Sequence, residues 1–360
     1  MFNMHKKLNE FYEDHVRLGK ERKTLAEHRD TNLNRLKVGL AALAYPSSFD
    51  HRDQGSYAMH TINQHPDKDY DIDVAVIFSK EDLPSSASRA RKRIEEAMQK
   101  GGGNFSQPPE AKTNAVRVYY AEGHHVDLAI YRRYEDEYGD RIYEHAGSDW
   151  TPRDPMTITN WFNSTVREAS PTKEQEATVG ENQMRRVVRW LKAFAKSRKH
   201  WNMPGGLLIS VLAAECYCPD FHRDDVSLYD TIVSIRNRLQ EDEEVANPVD
   251  STQLLTNRHK DVARVRRFKE KLDSAISELE VLHSPESSEE EALAAWYWLF
   301  QHPFWGTEDR AADRMSEYGK NLGKAAREGS VFVTTAGRVA TKAPEGRYIK
   351  APPNRFYGSS

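Results

Sequence analysis

Asp71-Ile72-Asp73-Val74-Ala75-Val76-Ile77-Phe78 is the stretch on which the reading of this 360-residue chain turns. Behind its two acids the run is apolar, β-branched and of strand length, so it reads as a buried strand. Side chains alternate faces along a strand, which puts Asp71 and Asp73 on one side and Ile72 and Val74 on the other. Two carboxylates held together on stiff backbone repel each other. The arrangement is costly unless a cation sits between them, and a hard, oxygen-seeking divalent ion suits it best.

A third carboxylate follows in His124-His125-Val126-Asp127-Leu128-Ala129-Ile130-Tyr131, where Asp127 is flanked by apolar neighbours on a second strand-like run. If the two strands are neighbours, three acids meet. That grouping serves two-metal phosphoryl transfer, in which one ion activates a ribose hydroxyl and the other neutralises the triphosphate and its pyrophosphate leaving group. Upstream, Gln54-Gly55-Ser56-Tyr57 stands at the start of a segment able to open a helix. Free backbone N–H groups and the Ser56 hydroxyl can hold phosphate oxygens there, and Gly55 lets the backbone come close. An isolated Gly-Ser pair carries almost no information, and an isolated Asp-x-Asp is more often a turn or solvated surface. The ordered combination of all three motifs is what points to chemistry.

Outward from these motifs the chain divides in two. Leu25, Leu33, Leu36, Leu40 and Leu43 recur at helical spacing between Arg22 and Ala44, and the block stops at Tyr45-Pro46. Ser85 to Gln99 reads as a basic helix closed by Gly101-Gly102-Gly103, and Ala115 to Tyr120 pairs with His125 to Tyr131 about a turn at Glu122-Gly123. Beyond about Thr172 the pattern is helical: Gln183 to Ser197, Leu207 to Cys216, Leu228 to Glu243, Thr256 to Leu282 and Glu289 to Gln301. The expected class is therefore α+β and bilobed. It places a catalytic lobe with a small mixed or antiparallel sheet at 1–171, a helical lobe at 172–329 and a mobile tail at 330–360. The tail mixes proline, glycine and basic residues without periodicity.

Composition excludes several alternatives. Lys and Arg total 52 against 55 Asp and Glu, a net charge of −3, so no general basic field draws the chain to a nucleic acid. Cys216 and Cys218 are one residue apart, which suits neither a disulfide framework nor a four-ligand zinc site. The first residues have no uninterrupted apolar core, and Leu207 to Ala214 is too short to span a bilayer. A cytoplasmic protein without membrane partners is expected. His124 and His125 flank the turn glycine, where exposed polar residues are ordinary; His60 and His65 read the same way. The aromatics near Trp296 read as core.

The motifs GSYAMHT, DYDIDVAVIF and HVDLAIYR resemble those of the DNA polymerase β-like nucleotidyltransferases, and within them the bacterial enzymes related to cyclic GMP-AMP synthase. The likeness extends to the leading long helix, the helical second lobe and the segment from Trp296 to Phe304. It implies a synthase that makes cyclic di- or trinucleotides from ATP and other nucleoside triphosphates, with Mg²⁺ or Mn²⁺, as an antiphage signal for a separate effector protein. By that match Asp71, Asp73 and Asp127 are catalytic and metal-holding. Gly55, Ser56, Lys192 (in preference to Lys196) and Gly206 hold the triphosphate; the match does not assign the aromatic that stacks on the base, for which Tyr57 is named as a guess. A regulatory protein partner is among the expectations, and an alternative reading makes the tail an attachment or docking segment, since some relatives are regulated through their C-termini. Other readings are transfer of a nucleotide to a small molecule, a protein or an RNA end, and a non-catalytic nucleotide-binding regulator.

Overall fold

The computed structural model describes residues 1–65, 70–103, 105, 107–121, 123–306, 320, 323–334, 339–340 and 348–350. Its centre is strand β2 (Asp71–Ser79), flanked by β1 (Asp50–Gln54) on one side and β5 (His125–Glu135) on the other. The sheet continues through β4 (Val116–Tyr119) to β3 (Glu110–Ala111), while β6 (Arg141–Ala146) pairs with the far half of β5 and β7 (Trp150–Pro152) pairs with β6. Among the described strands of this sheet only β2 and β5 run parallel; β1, β3, β4, β6 and β7 add antiparallel. The sheet is mixed, as one of the two expectations had it.

One face of this sheet is closed by two helices, α2 (Glu21–Ala42) and α4 (Ala87–Lys100). Ile72, Val74, Val76 and Phe78 of β2 point into them, with Leu25, Leu36 and Leu40 of α2 and Ile94 and Met98 of α4 buried in the same core. Each such side chain contributes roughly 1.5–3 kcal/mol of burial. The alternate residues Asp71 and Asp73 are left on the opposite face. Helices α2 and α4 approach so closely that a side chain on Gly39 would have its Cβ 1.7 Å from the Ala97 carbonyl oxygen.

The second lobe is built on α6 (Gln183–Lys196), α7 (Gly206–Cys216), α8 (Asp224–Glu241), α9 (His259–Leu279) and α10 (Glu289–Phe300). Its core holds Trp190, Leu212, Ile232, Phe268 and Trp296, so the Trp296 segment is core as expected. Cys216 and Cys218 are both free thiols, and no described helix is long and apolar enough to cross a membrane.

Two segments lie in a different lobe from the one expected. Helix α1 (His5–Phe11), the π-helical turn Tyr12–Val16 behind it, and α5 (Thr157–Ala169) were all included in the 1–171 unit. Their buried residues Leu8, Phe11, Val16, Phe162 and Val166 belong to the helical core instead. The N-terminus is tied there by Asp225, which accepts from the Met4 N–H at 2.8 Å, and by Arg223, which donates to the carbonyls of Met1 and Phe2. The tail, expected to lack regular structure, carries three short strands among its described residues: β10 (Phe332–Thr334), β11 (Val339–Ala340) and β12 (Tyr348–Lys350). A further small hairpin joins β8 (Ala246–Asn247) to β9 (Asp250–Leu254). Residues 335–338, 341–347 and 351–360 of the tail, and Glu122 of the expected turn, lie outside the described residues.

Replacing Gly39 with Ala should destabilise the protein by roughly 1–3 kcal/mol or more, the usual range for overpacking against a neighbour that cannot yield. Urea unfolding of the two proteins measures the difference.

Candidate active site

The parallel register of β2 and β5 sets Asp73 directly opposite Asp127 and Asp71 opposite His125. Gln54 lies opposite Asp73 on the other side, and Arg117 lies opposite Asp127. One row across the sheet therefore reads Gln54, Asp73, Asp127, Arg117. The three acids meet as the sequence implied.

Their electrostatics follow from crowding. Burial, reinforced by the charges of Asp127 and Asp71, pushes the Asp73 carboxyl up to about 6. Burial pushes Asp71 the same way, but its hydrogen bond to His125 and the charges of His125, Arg117 and Lys196 outweigh it and hold that carboxyl below its usual range. Asp127 is gripped by both arms of the Arg117 guanidinium, at 2.8 Å from Nε and 2.6 Å from Nη2. Asp71, His125 and Asp127 offer ligand atoms that all lie within 4.8 Å of one another. Carboxylate oxygens so close, with Asp73 resisting ionisation between two other acids, form a donor set that fits divalent cations of the Mg²⁺ or Mn²⁺ kind.

Helix α3 (Gly55–Ala58) carries the second motif to the same place. Gly55 has a φ of 60°, and a side chain there would have its Cβ 2.0 Å from Asp73 Oδ2. Glycine is thus required twice over, for the left-handed backbone and for the approach to the carboxylate. Ser56 is half-buried beside it and lines the cleft.

That cleft, of about 640 Å³, lies between the lobes. Asp71, Asp73 and Asp127 line one wall, Lys192 and Gly206 the other. Lys192 projects from α6 and donates to the Thr61 hydroxyl at 2.8 Å. Burial, helped by the charges of Arg189 and Lys196, pushes its ammonium down to about 7. Gly206 starts α7 directly beneath it: a Cβ there would lie 3.3 Å from Lys192 Cε. A second cleft of about 490 Å³ continues from Ser56, Asp71 and Lys192 toward Lys196 and Lys199. Lys196, the alternative to Lys192, lines only this extension.

Tyr57 is not with the others. It is buried in the sheet core with the Arg22 guanidinium 4.0 Å above its ring, and it does not line the cleft. Its face is therefore covered. The two histidines also depart from the expectation of exposed turn residues. His124 is 4% exposed and stacks with His28 and Tyr120, while His125 is half-buried and pairs with Asp71. His125 precedes Asp127 by two, so strand alternation alone would have put both on one face. Arg117 was missed because a two-residue turn at 122–123 places Leu128 opposite it. The hairpin instead closes one residue earlier, with the Tyr120 N–H donating to the His124 carbonyl.

Residues 50–131 match the family model described as Cyclic GMP-AMP synthase DncV-like, nucleotidyltransferase domain, a segment that contains Gly55, Ser56 and all three acids. Vibrio cholerae DncV cyclic AMP-GMP synthase, solved with the linear intermediate 5′ pppA(3′,5′)pG, aligns at TM-score 0.64 and 16% identity over 86% of this chain and 98% of that one. CdnC of E. coli MS115-1 with ATP aligns at TM-score 0.62 and 17% identity, covering 83% and 98%. The same CdnC in a HORMA-deltaN complex gives 0.62 and 18%, covering 82% and 96%.

With Asp73 raised, the metal-free protein should lose stability as pH rises from the ordinary carboxylate range through about 6, because ionisation is easier in the unfolded chain. Asp73→Asn should lack that component and remain folded yet inactive; thermal unfolding in chelator across this window, alongside an activity assay, checks both.

Residues 50–131 thus resemble a DncV-like nucleotidyltransferase domain, and the chain as a whole shares the bilobed fold of DncV and CdnC.

Proposed function

We propose that this protein uses Mg²⁺, or Mn²⁺ in its place, to join nucleoside triphosphates, ATP among them, into a cyclic di- or trinucleotide. The observation that carries the reading is the register pairing of Asp73 with Asp127, two residues from Asp71, facing Lys192 across one cleft. Metal ions held by the three acids would supply the activated ribose hydroxyl and neutralise the triphosphate. Asp127 sits where it can help prepare the attacking hydroxyl, and Asp71 and Asp73 hold the shared charge. Gly55 brings its backbone against Asp73, and Ser56 offers a hydroxyl to phosphate oxygens. Lys192 and Gly206 close on the triphosphate from the helical lobe. The product would be an antiphage signal for a separate effector, and the HORMA-deltaN complex of CdnC supports a regulatory protein partner here as well.

Purified protein incubated with the four radiolabelled nucleoside triphosphates and Mg²⁺ or Mn²⁺, then phosphatase, should yield a resistant species by chromatography and mass spectrometry. An Asp71→Ala/Asp73→Ala control should make none. Linear or acceptor-bound label would replace cyclisation by transfer to another acceptor, and no incorporation despite nucleotide binding under activating conditions would leave a binding protein.

Because burial beside Arg189 and Lys196 holds Lys192 near 7, a bound triphosphate should draw a proton onto it. Calorimetry at pH 7–8 in buffers of different ionisation enthalpy should register proton uptake with the wild type and less with Lys192→Ala, which should also raise KM for the triphosphate.

A further inference from the structure

The Asp127 carboxylate is already engaged. Arg117 meets both of its oxygens in a fork, and the two side chains are 13% and 29% exposed for the acid and the base, at the wall of the cleft. A cation approaching the three acids therefore competes with a guanidinium for one of them. Bidentate pairs of this kind are directional and stronger than a single contact, yet at partial exposure solvent weakens them enough for exchange.

A guanidinium cannot shed its charge. If a dication takes the Asp127 oxygens, Arg117 must leave still charged and find another anion. The planar fork that matches a carboxylate matches a phosphate equally well. Arg117 lines the same cleft as Ser56 and Lys192, so a nucleotide phosphate seated there is within the same space.

We propose that Arg117 is an exchangeable counter-ion, holding Asp127 in the metal-free protein and passing to a phosphate of the bound nucleotide when a divalent cation takes that carboxylate. This rests on the nucleotidyltransferase reading above. Its consequence is linkage: metal alone must expel Arg117 with no anion to receive it, whereas nucleotide provides one. Each ligand then strengthens the other's binding by the same factor. A salt bridge that merely braces β4 against β5 would give no such coupling.

Calorimetric titration of the full chain with Mn²⁺ alone, and with a non-hydrolysable ATP analogue in saturating Mn²⁺, separates the two. Arg117→Met should bind Mn²⁺ alone roughly tenfold more tightly, since a like charge a few Å from the ion is gone. The same variant should bind the analogue in Mn²⁺ roughly tenfold more weakly, for want of a charge-assisted contact. Wild-type or weaker Mn²⁺ binding by Arg117→Met, or unchanged analogue binding, would overturn the proposal. Should circular dichroism find that variant unfolded, Arg117→Lys decides. It keeps the charge without the fork, so Mn²⁺ binding should stay near wild type while the analogue weakens; unchanged analogue binding sinks the idea. A folded wild-type protein that bound neither Mn²⁺ nor analogue would instead remove the nucleotidyltransferase reading itself.

Discussion

Three carboxylates are forced together by the pairing of β2 with β5, and the mutual repulsion of Asp71, Asp73 and Asp127 is the constraint to which the rest of the site answers. Two unit charges about 4 Å apart cost on the order of 4 kcal/mol at the effective dielectric of a protein surface. A sheet can carry such a load only if its other face is well anchored. Here Ile72, Val74 and Val76 are fully buried beneath α2 and α4, so the strand cannot roll to relieve the charge. Relief comes from Arg117 on Asp127 and from His125 on Asp71, while Asp73, between two acids and with Gly55 against it, resists ionisation.

The opposite wall carries the complementary burden. Lys192 lies in a helix whose charged neighbours Arg189 and Lys196 are also cations, and its ammonium donates to the neutral Thr61 hydroxyl. Acids short of cations face a base short of anions across one cleft. An anionic ligand carrying divalent cations, of the kind proposed above, would answer both at once. The loop 60–63 already ties the walls, since Arg189 donates to the His60 carbonyl and Asn63 donates to that of Arg189.

What could be read in advance was what depends on local pattern. The strand character of residues 71–78 and 125–131, and the faces on which the acids lie, follow from alternation, and every long helix of the second half follows from its spacing. Register was less legible. A slip of one position at the turn near Gly123 hid Arg117, and treating His125 as a turn residue ignored its place two before Asp127. Tyr57 illustrates another limit: an aromatic beside a phosphate motif looks available until Arg22, distant in sequence, covers its ring. The share of the helical lobe owed to residues 4–16 was invisible for a similar reason, because nothing in that stretch names its partners.

That N-terminal share bears on how the chain comes to fold. The Met1 and Met4 backbone groups bond to Arg223 and Asp225, which lie 222 and 221 positions further along. During synthesis these first residues emerge long before their partners exist, while α2 and the sheet can already assemble behind them. The catalytic lobe is thus able to form on the ribosome, but the helical lobe must close a loop around the whole of it before its core is complete. A loop of this span encloses the sheet that sets Asp73 beside Asp127, so the helical core is sealed by residues from both ends of it.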